Sequence, residues 1–143
     1  MTMAVTEQQI ATLRAQLAGD FAEHKRLLGL LDSAGLRGYA ALVAAGFFEA
    51  VDRRFGKATT PAEVIHFVGD VRSRFDGADE EIDPRAAEQL ILKVLGQGSV
   101  ENVDGPTIRR IQRLLLPLLV ADEQLDDAGL DEFLASARKL ADH

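Results

Sequence analysis

Glu63-Val64-Ile65-His66 is the spacing most suggestive of chemistry in this chain, because a helix bearing Glu-x-x-His presents a carboxylate and an imidazole to one side. Helical bundles use that spacing to hold a two-metal centre, which also requires a second such pair. The other internal histidine, His24, has Phe21 three residues before it, so the second pair is missing. His66 also falls about 200° round a helical wheel from Val64, away from the apolar stripe. Glu63, His66, Asp70 and Arg74 therefore read as a solvated face with charge pairs three and four residues apart. His24 differs, since it lies on an apolar stripe between Phe21 and Leu28 with Asp20 one turn earlier. It is the candidate polar residue of a pocket, as a ligand donor or pH-sensitive contact. The plainer reading is a histidine at the core edge bonded to Asp20 or to a backbone carbonyl.

No nucleophile with a base, glycine-rich phosphate loop or matched carboxylate pair can be assembled, so no catalytic residue and no cofactor are expected. Cysteine is absent, which removes disulfides, thiolate metal sites and thiol nucleophiles. Two arginine groups, Arg53, Arg54, Lys57, Arg72 and Arg74, and then Arg109, Arg110 and Arg113, are candidate anion grips, with neutralisation by nearby acids the simpler account. The acidic turn offers Asp122, Asp126 and Asp127 as candidate metal ligands, although it lacks the alternating oxygens and central glycine of an EF-hand. Caps and solubility explain these acids without a metal.

The stretch Leu118–Leu134, LLVADEQLDDAGLDEFL, resembles the helix, acidic turn and helix of tellurite-resistance-B-like domains. Ala121, Asp122 and Leu125 carry the likeness, which covers under a fifth of the chain. Glu123 stands where that family has glycine, and Gly129 stands near its glutamate position. The resemblance implies a small all-helical bundle with an acidic turn at 121–130 that is sometimes metal-linked.

These groups must be positioned by helices, because apolar residues recur at helical spacing throughout and no strand-like alternation competes. Thr6 with Gln9 forms a capping box for a helix beginning near Glu7. Its stripe of Ile10, Leu13, Leu17, Phe21, Leu28 and Leu31 crosses Gly19-Asp20, which allows either one weakened helix or two short ones. Gly35 is the expected C-terminal cap of this unit. A next helix from about Leu36 or Tyr39 to Phe55 turns Leu42 or Val43, Phe47, Val51 and Phe55 inward. Thr60-Pro61-Ala62-Glu63 opens another, with Val64, Phe67, Val68, Val71 and Phe75 on its stripe. Asp83-Pro84 opens a fourth, and Leu130, Phe133 or Leu134, Ala137 and Leu140 mark the last. Between them IRRIQRLLLPLLVA, 108–121, is apolar all round from Leu114 onward, as a buried helix is. Pro117 predicts a kink or a restart there. The fold expected is all-α: a single compact domain of five to seven helices, 1–143, around this central helix (about 105–121), with a possible hinge at 96–105.

Net charge is −7, and the excess lies in the second half: residues 76–143 carry fifteen Asp/Glu against seven Lys/Arg. That balance argues against nucleic acid and anionic lipid as partners. A helix-turn-helix reading of Ala62–Phe75, with Gly69 in the turn, fails because its second helix runs into the acidic DGADEE. The N-terminus lacks a basic start and an apolar run, and the longest wholly apolar run, Leu114–Ala121, is far short of a bilayer span, so a cytoplasmic location is the expectation. The surplus of apolar helix points to a non-enzymatic interaction module, working with a protein partner or as a homodimer. Phe47, Phe48 and Phe55 are its candidate contact residues, because adjacent Phe47 and Phe48 point about 100° apart and cannot share a narrow stripe. The other reading is an apolar small-molecule or metal-binding bundle, with a pocket opened at Pro117.

Overall fold

A computed structural model describes residues 4–56, 58–74 and 82–142, with Arg74 described by its backbone. Lys57, Phe75, the acidic connection 76–81 and His143 lie outside the described residues. Among the described residues the protein is all-helical, with seven helices and no strand. They are α1 (Glu7–Leu17), α2 (Phe21–Gly29), α3 (Ser33–Arg54), α4 (Pro61–Arg74), α5 (Pro84–Val94), α6 (Gly105–Glu123) and α7 (Asp127–Ala141). The chain divides into two compact units, one formed by residues 1–50 with 115–143 and the other by 51–114. The boundaries fall inside α3 and α6, while residues 96–105 lie within the second unit.

Local chemistry explains where the helices start. The Thr6 hydroxyl accepts the Gln9 N–H at 3.1 Å and the Gln9 side chain accepts the Thr6 N–H at 3.0 Å, a reciprocal cap. The chain breaks at Gly19, whose φ of +83° is open to glycine, and Asp20 then caps α2 by accepting the Glu23 N–H at 3.2 Å. Two short helices thus replace one, and the break resets the stripe. Phe21, expected inward, is 67% exposed. Gly35 does not end this region. The Asp32 carboxylate accepts the Gly35 N–H at 2.7 Å, so α3 begins at Ser33, earlier than the apolar spacing suggested. Thr60 accepts the Glu63 N–H at 3.3 Å, and Asp83 accepts from Arg85 and Ala86 at 3.0 and 3.3 Å. Helix α4 runs unbroken through Gly69, leaving no turn of a helix-turn-helix.

In the first unit α1 packs on α2 and α7. Leu13, Leu42, Phe47, Leu115, Leu116, Leu119 and Phe133 are buried to within about one percent, each burial stabilising by about 1.5–3 kcal/mol. Gly46 lets α3 approach the other helices, since a Cβ there would sit 3.1 Å from Leu116 Cδ2 and 3.8 Å from Phe133 Cε1. Helix α6 continues through Pro117 without a restart. Its buried positions are Ile111, Leu115, Leu116, Leu119 and Val120, with Leu114, Pro117 and Leu118 half-buried. The ends of the unit are clasped: Val5 N–H donates to Asp142 Oδ1 at 2.8 Å, and Arg138 donates to Glu7 at 2.7 Å and to the Val5 carbonyl at 3.0 Å.

In the second unit α4 packs on α5. Val51, Val64, Val68, Val71, Ala87, Ile91 and Ile111 are buried to within about one percent. The Phe55 and Phe67 rings meet edge to face at 5.4 Å, a geometry that favours the ring quadrupoles. The Gln97 amide donates to the Thr59 carbonyl at 2.6 Å, tying the segment after α5 to the start of α4.

Candidate functional site

Helix α3 carries the feature that most needs explaining. Of its 22 residues, an 18-residue window has a mean hydropathy of 1.2, long and apolar enough by length and composition to cross a membrane, yet only 39% of that window is buried. Tyr39, Leu42, Val43, Phe47 and Ala50 form the buried side. The opposite side is apolar too. Ala41 and Phe48 are exposed and Ala44 and Ala45 half-buried, and with Leu140 and Ala141 from the end of α7 they line a shallow groove of about 430 Å³. Phe48 is 42% exposed and Leu140 41%. Leu140, expected on the inward stripe of α7, lies beyond the last buried turn at Ala137 and joins this surface instead.

The three candidate contact phenylalanines are thus separated by the fold. Phe47 is 1% exposed and Phe55 9%, both packed inside, whereas Phe48 alone of the three stands out. Their types could not reveal this. The angular offset of Phe47 from Phe48 shows that one of them must leave a narrow stripe, and the core contacts decide which.

His24 is half-buried, and its Nδ1 donates to the Thr12 carbonyl at 2.9 Å, which places a proton on that nitrogen. Its ring lies 6.2 Å from that of Tyr39, whose hydroxyl donates to Gln16 Oε1 at 3.3 Å. Thr12 is itself buried, its hydroxyl donating to the Gln8 carbonyl at 2.7 Å. The arrangement joins α2 to α1 and α3. Asp20, the other expected partner of His24, is occupied as the α2 cap.

The candidate metal ligands are spread along the turn into α7. Asp126 caps α7 by accepting the Gly129 N–H at 2.7 Å, and Asp127 lies 3.6 Å from the Arg14 guanidinium, which also pairs with Asp131. Asp122 is exposed near the end of α6. Among the described residues no group of three or more His, Asp or Glu side chains converges tightly enough to hold a metal ion.

A second concavity, about 580 Å³, lies in the unit 51–114, lined by Arg54, Phe55, Thr59, Ala62, Glu63, His66, Phe67 and Asp70. The Arg54 guanidinium sits 5.9 Å and 5.5 Å from the Phe55 and Phe67 ring centres, a cation over two aromatic faces. Glu63, His66 and Asp70 are exposed along its rim, as the wheel predicts. The sequence could not show that Arg54, Phe55 and Phe67 would meet them, since that depends on the chain reversal between α3 and α4.

Comparison with known proteins yields no family model, no curated protein and no solved structure that matches this chain.

Proposed function

We propose that this protein is a non-enzymatic, self-associating module whose contact surface is the outward side of α3 with the end of α7. One observation carries this reading: exposed Phe48 and Leu140 line a shallow groove together with Ala41, Ala44 and Ala45. Scattered apolar side chains are ordinary on a soluble surface, but an aromatic beside a contiguous small-residue groove is the composition of an interface centre. A patch holding both a protrusion and a recess suits a two-fold dimer, in which one surface must complement itself. The expected species is a homodimer of two 15.5 kDa chains.

Native mass spectrometry and sedimentation velocity test this together. A dimer without adducts supports the reading. Phe48→Glu places a charge in each copy of the contact, and the symmetry applies the loss twice. At about 2 kcal/mol for each aromatic anchor, dimerisation weakens by roughly a thousandfold, while circular dichroism and melting temperature stay near wild type because Phe48 has little core contact to lose. A wild-type protein that stays monomeric at high micromolar concentration overturns the proposal.

A second reading, a small-ligand binder, is favoured by the cleft over Phe55 and Phe67, where Arg54, Glu63 and His66 supply polarity around an aromatic floor. A monomer carrying extra mass in the native spectrum supports it in place of the dimer. The size of that mass separates an organic ligand from a metal ion.

A further inference from the structure

We infer that the second copy lies antiparallel on α3, with the two-fold axis between Ala44 and Ala45 and Arg37 of each copy facing Asp52 of the other. The inference rests on the self-association proposed above and adds the geometry by which two copies recognise each other. Its basis is the register of α3, one uninterrupted helix from Ser33 to Arg54. Taking the point midway between Ala44 and Ala45 as origin, at 100° per residue, Ala41 falls about 10° to one side and Phe48 about 10° to the other. Arg37 and Asp52 fall about 30° to either side, and Ala44 and Ala45 about 50°. These six residues form one stripe.

The stripe is complementary to itself when reversed. Ala41 and Phe48 stand 3.5 residues from the origin, roughly 5 Å along the axis in opposite directions, so a reversed copy sets each Phe48 against the other copy's Ala41. The alanines admit the close end of the usual helix separation, roughly 8 Å. Arg37 and Asp52 stand 7.5 residues from the origin, roughly 11 Å each way, so the reversed copy also sets cation against carboxylate at both ends. Both side chains are exposed, and neither has an ion-pair partner among the described residues. A crossing of about 20° separates the axes by only about 4 Å where these charges meet, within reach of an arginine; a crossing of about 50° separates them by about 9 Å and loses the pair. A parallel copy would put Arg37 against Arg37 and Phe48 against Phe48. An unrelated partner would have no reason to match a stripe whose knob, recess and charges are all related by reversal.

The absence of cysteine from the sequence makes cross-linking clean. Under mild oxidation, Ala44→Cys alone is expected to form a disulfide-linked dimer, because the axis passes beside it. Arg37→Cys alone is expected not to cross-link, its copies lying about 22 Å apart along the axis. Arg37→Glu and Asp52→Arg should each weaken dimerisation about tenfold by opposing like charges twice, and the double variant Arg37→Glu/Asp52→Arg should return to within about threefold of wild type. Self-cross-linking of Arg37→Cys, or a double variant no better than the singles, overturns the antiparallel register while leaving a dimer seen by sedimentation intact. A wild-type monomer in sedimentation, with no cross-linking of Ala44→Cys, overturns the self-association beneath it.

Discussion

Replacing Gly38 by alanine should destabilise the protein although it removes a glycine from the interior of a helix. Taken alone, Gly→Ala inside α3 favours folding by about 1 kcal/mol. A Cβ at this position, however, would overlap the Gln9 side-chain amide nitrogen and lie 3.1 Å and 3.2 Å from Gln9 Cδ and Oε1. Gln9 cannot easily move aside. It is 2% exposed, its Oε1 accepts the Thr6 N–H at 3.0 Å and its Nε2 donates to the Gly35 carbonyl at 3.1 Å. Displacing it leaves the Thr6 N–H and the buried Gln9 amide without these partners, at about 1–3 kcal/mol each. Set against the helical gain, the net loss is about 1–5 kcal/mol, a fall in melting temperature of roughly 3–17 °C for a chain of this length. Thermal and urea unfolding followed by circular dichroism measures it. Gly69→Ala is the control, because Gly69 lies in α4 with nothing within 4 Å of an added Cβ, and it should stabilise by about 1 kcal/mol. In a Gln9→Ala background the obstacle is gone, so Gly38→Ala should there change sign and stabilise. A Gly38→Ala protein as stable as wild type, or no change of sign in the Gln9→Ala background, refutes the reasoning.

Acidification should expose the cap at the start of α6. Hydrogen bonds from the Thr107 side chain and backbone, the latter at 2.8 Å, hold the Asp104 carboxyl below its ordinary range. A depressed pKa contributes stability above the ordinary value, lost as pH falls through the folded one. The melting-temperature difference between wild type and Asp104→Asn should therefore be larger at about pH 6 than at about pH 2.5, and an unchanged difference refutes the assignment. Pro117→Ala should raise stability by about 1–3 kcal/mol, because the ring denies the Arg113 carbonyl its helical donor and crowds it within a continuous helix; an unchanged or lower melting temperature counts against that account.

The helices were legible because their signals are local. The boxes at Thr6 and Thr60, the Asp83-Pro84 start and the stripe Val64, Phe67, Val68, Val71 each lie within a few residues of what they determine. Errors arose where a long-range stripe competed with a cap. The series from Ile10 to Leu31 runs on in sequence, but Gly19 and Asp20 reset it, and Phe21 comes out exposed. Gly35 resembled a helix end until the Asp32 carboxylate claimed its N–H. The groove was half legible. A phenylalanine pair 100° apart announces that one must face outward, but the choice of Phe48 depends on which side of α3 the folded unit buries. Gln9 was legible as a cap and not as the neighbour of Gly38, 29 positions away, because that second role exists only after α1 and α3 meet.

The clasp of Val5 and Glu7 by Arg138 and Asp142 bears on the order in which the chain can fold during synthesis. One unit draws on residues 1–50 and again on 115–143, with the whole of the other unit translated between them. At about 5–20 residues per second, the ribosome takes roughly 3–13 s to make residues 51–114. Throughout that interval Leu13, Leu42 and Phe47 have been made while Leu116, Leu119 and Phe133, buried in the same unit, have not. The 51–114 unit has all its partners and can close first. The nascent α1–α3 segment is the part of this protein that a chaperone would meet, and its need for one ends when α7 emerges.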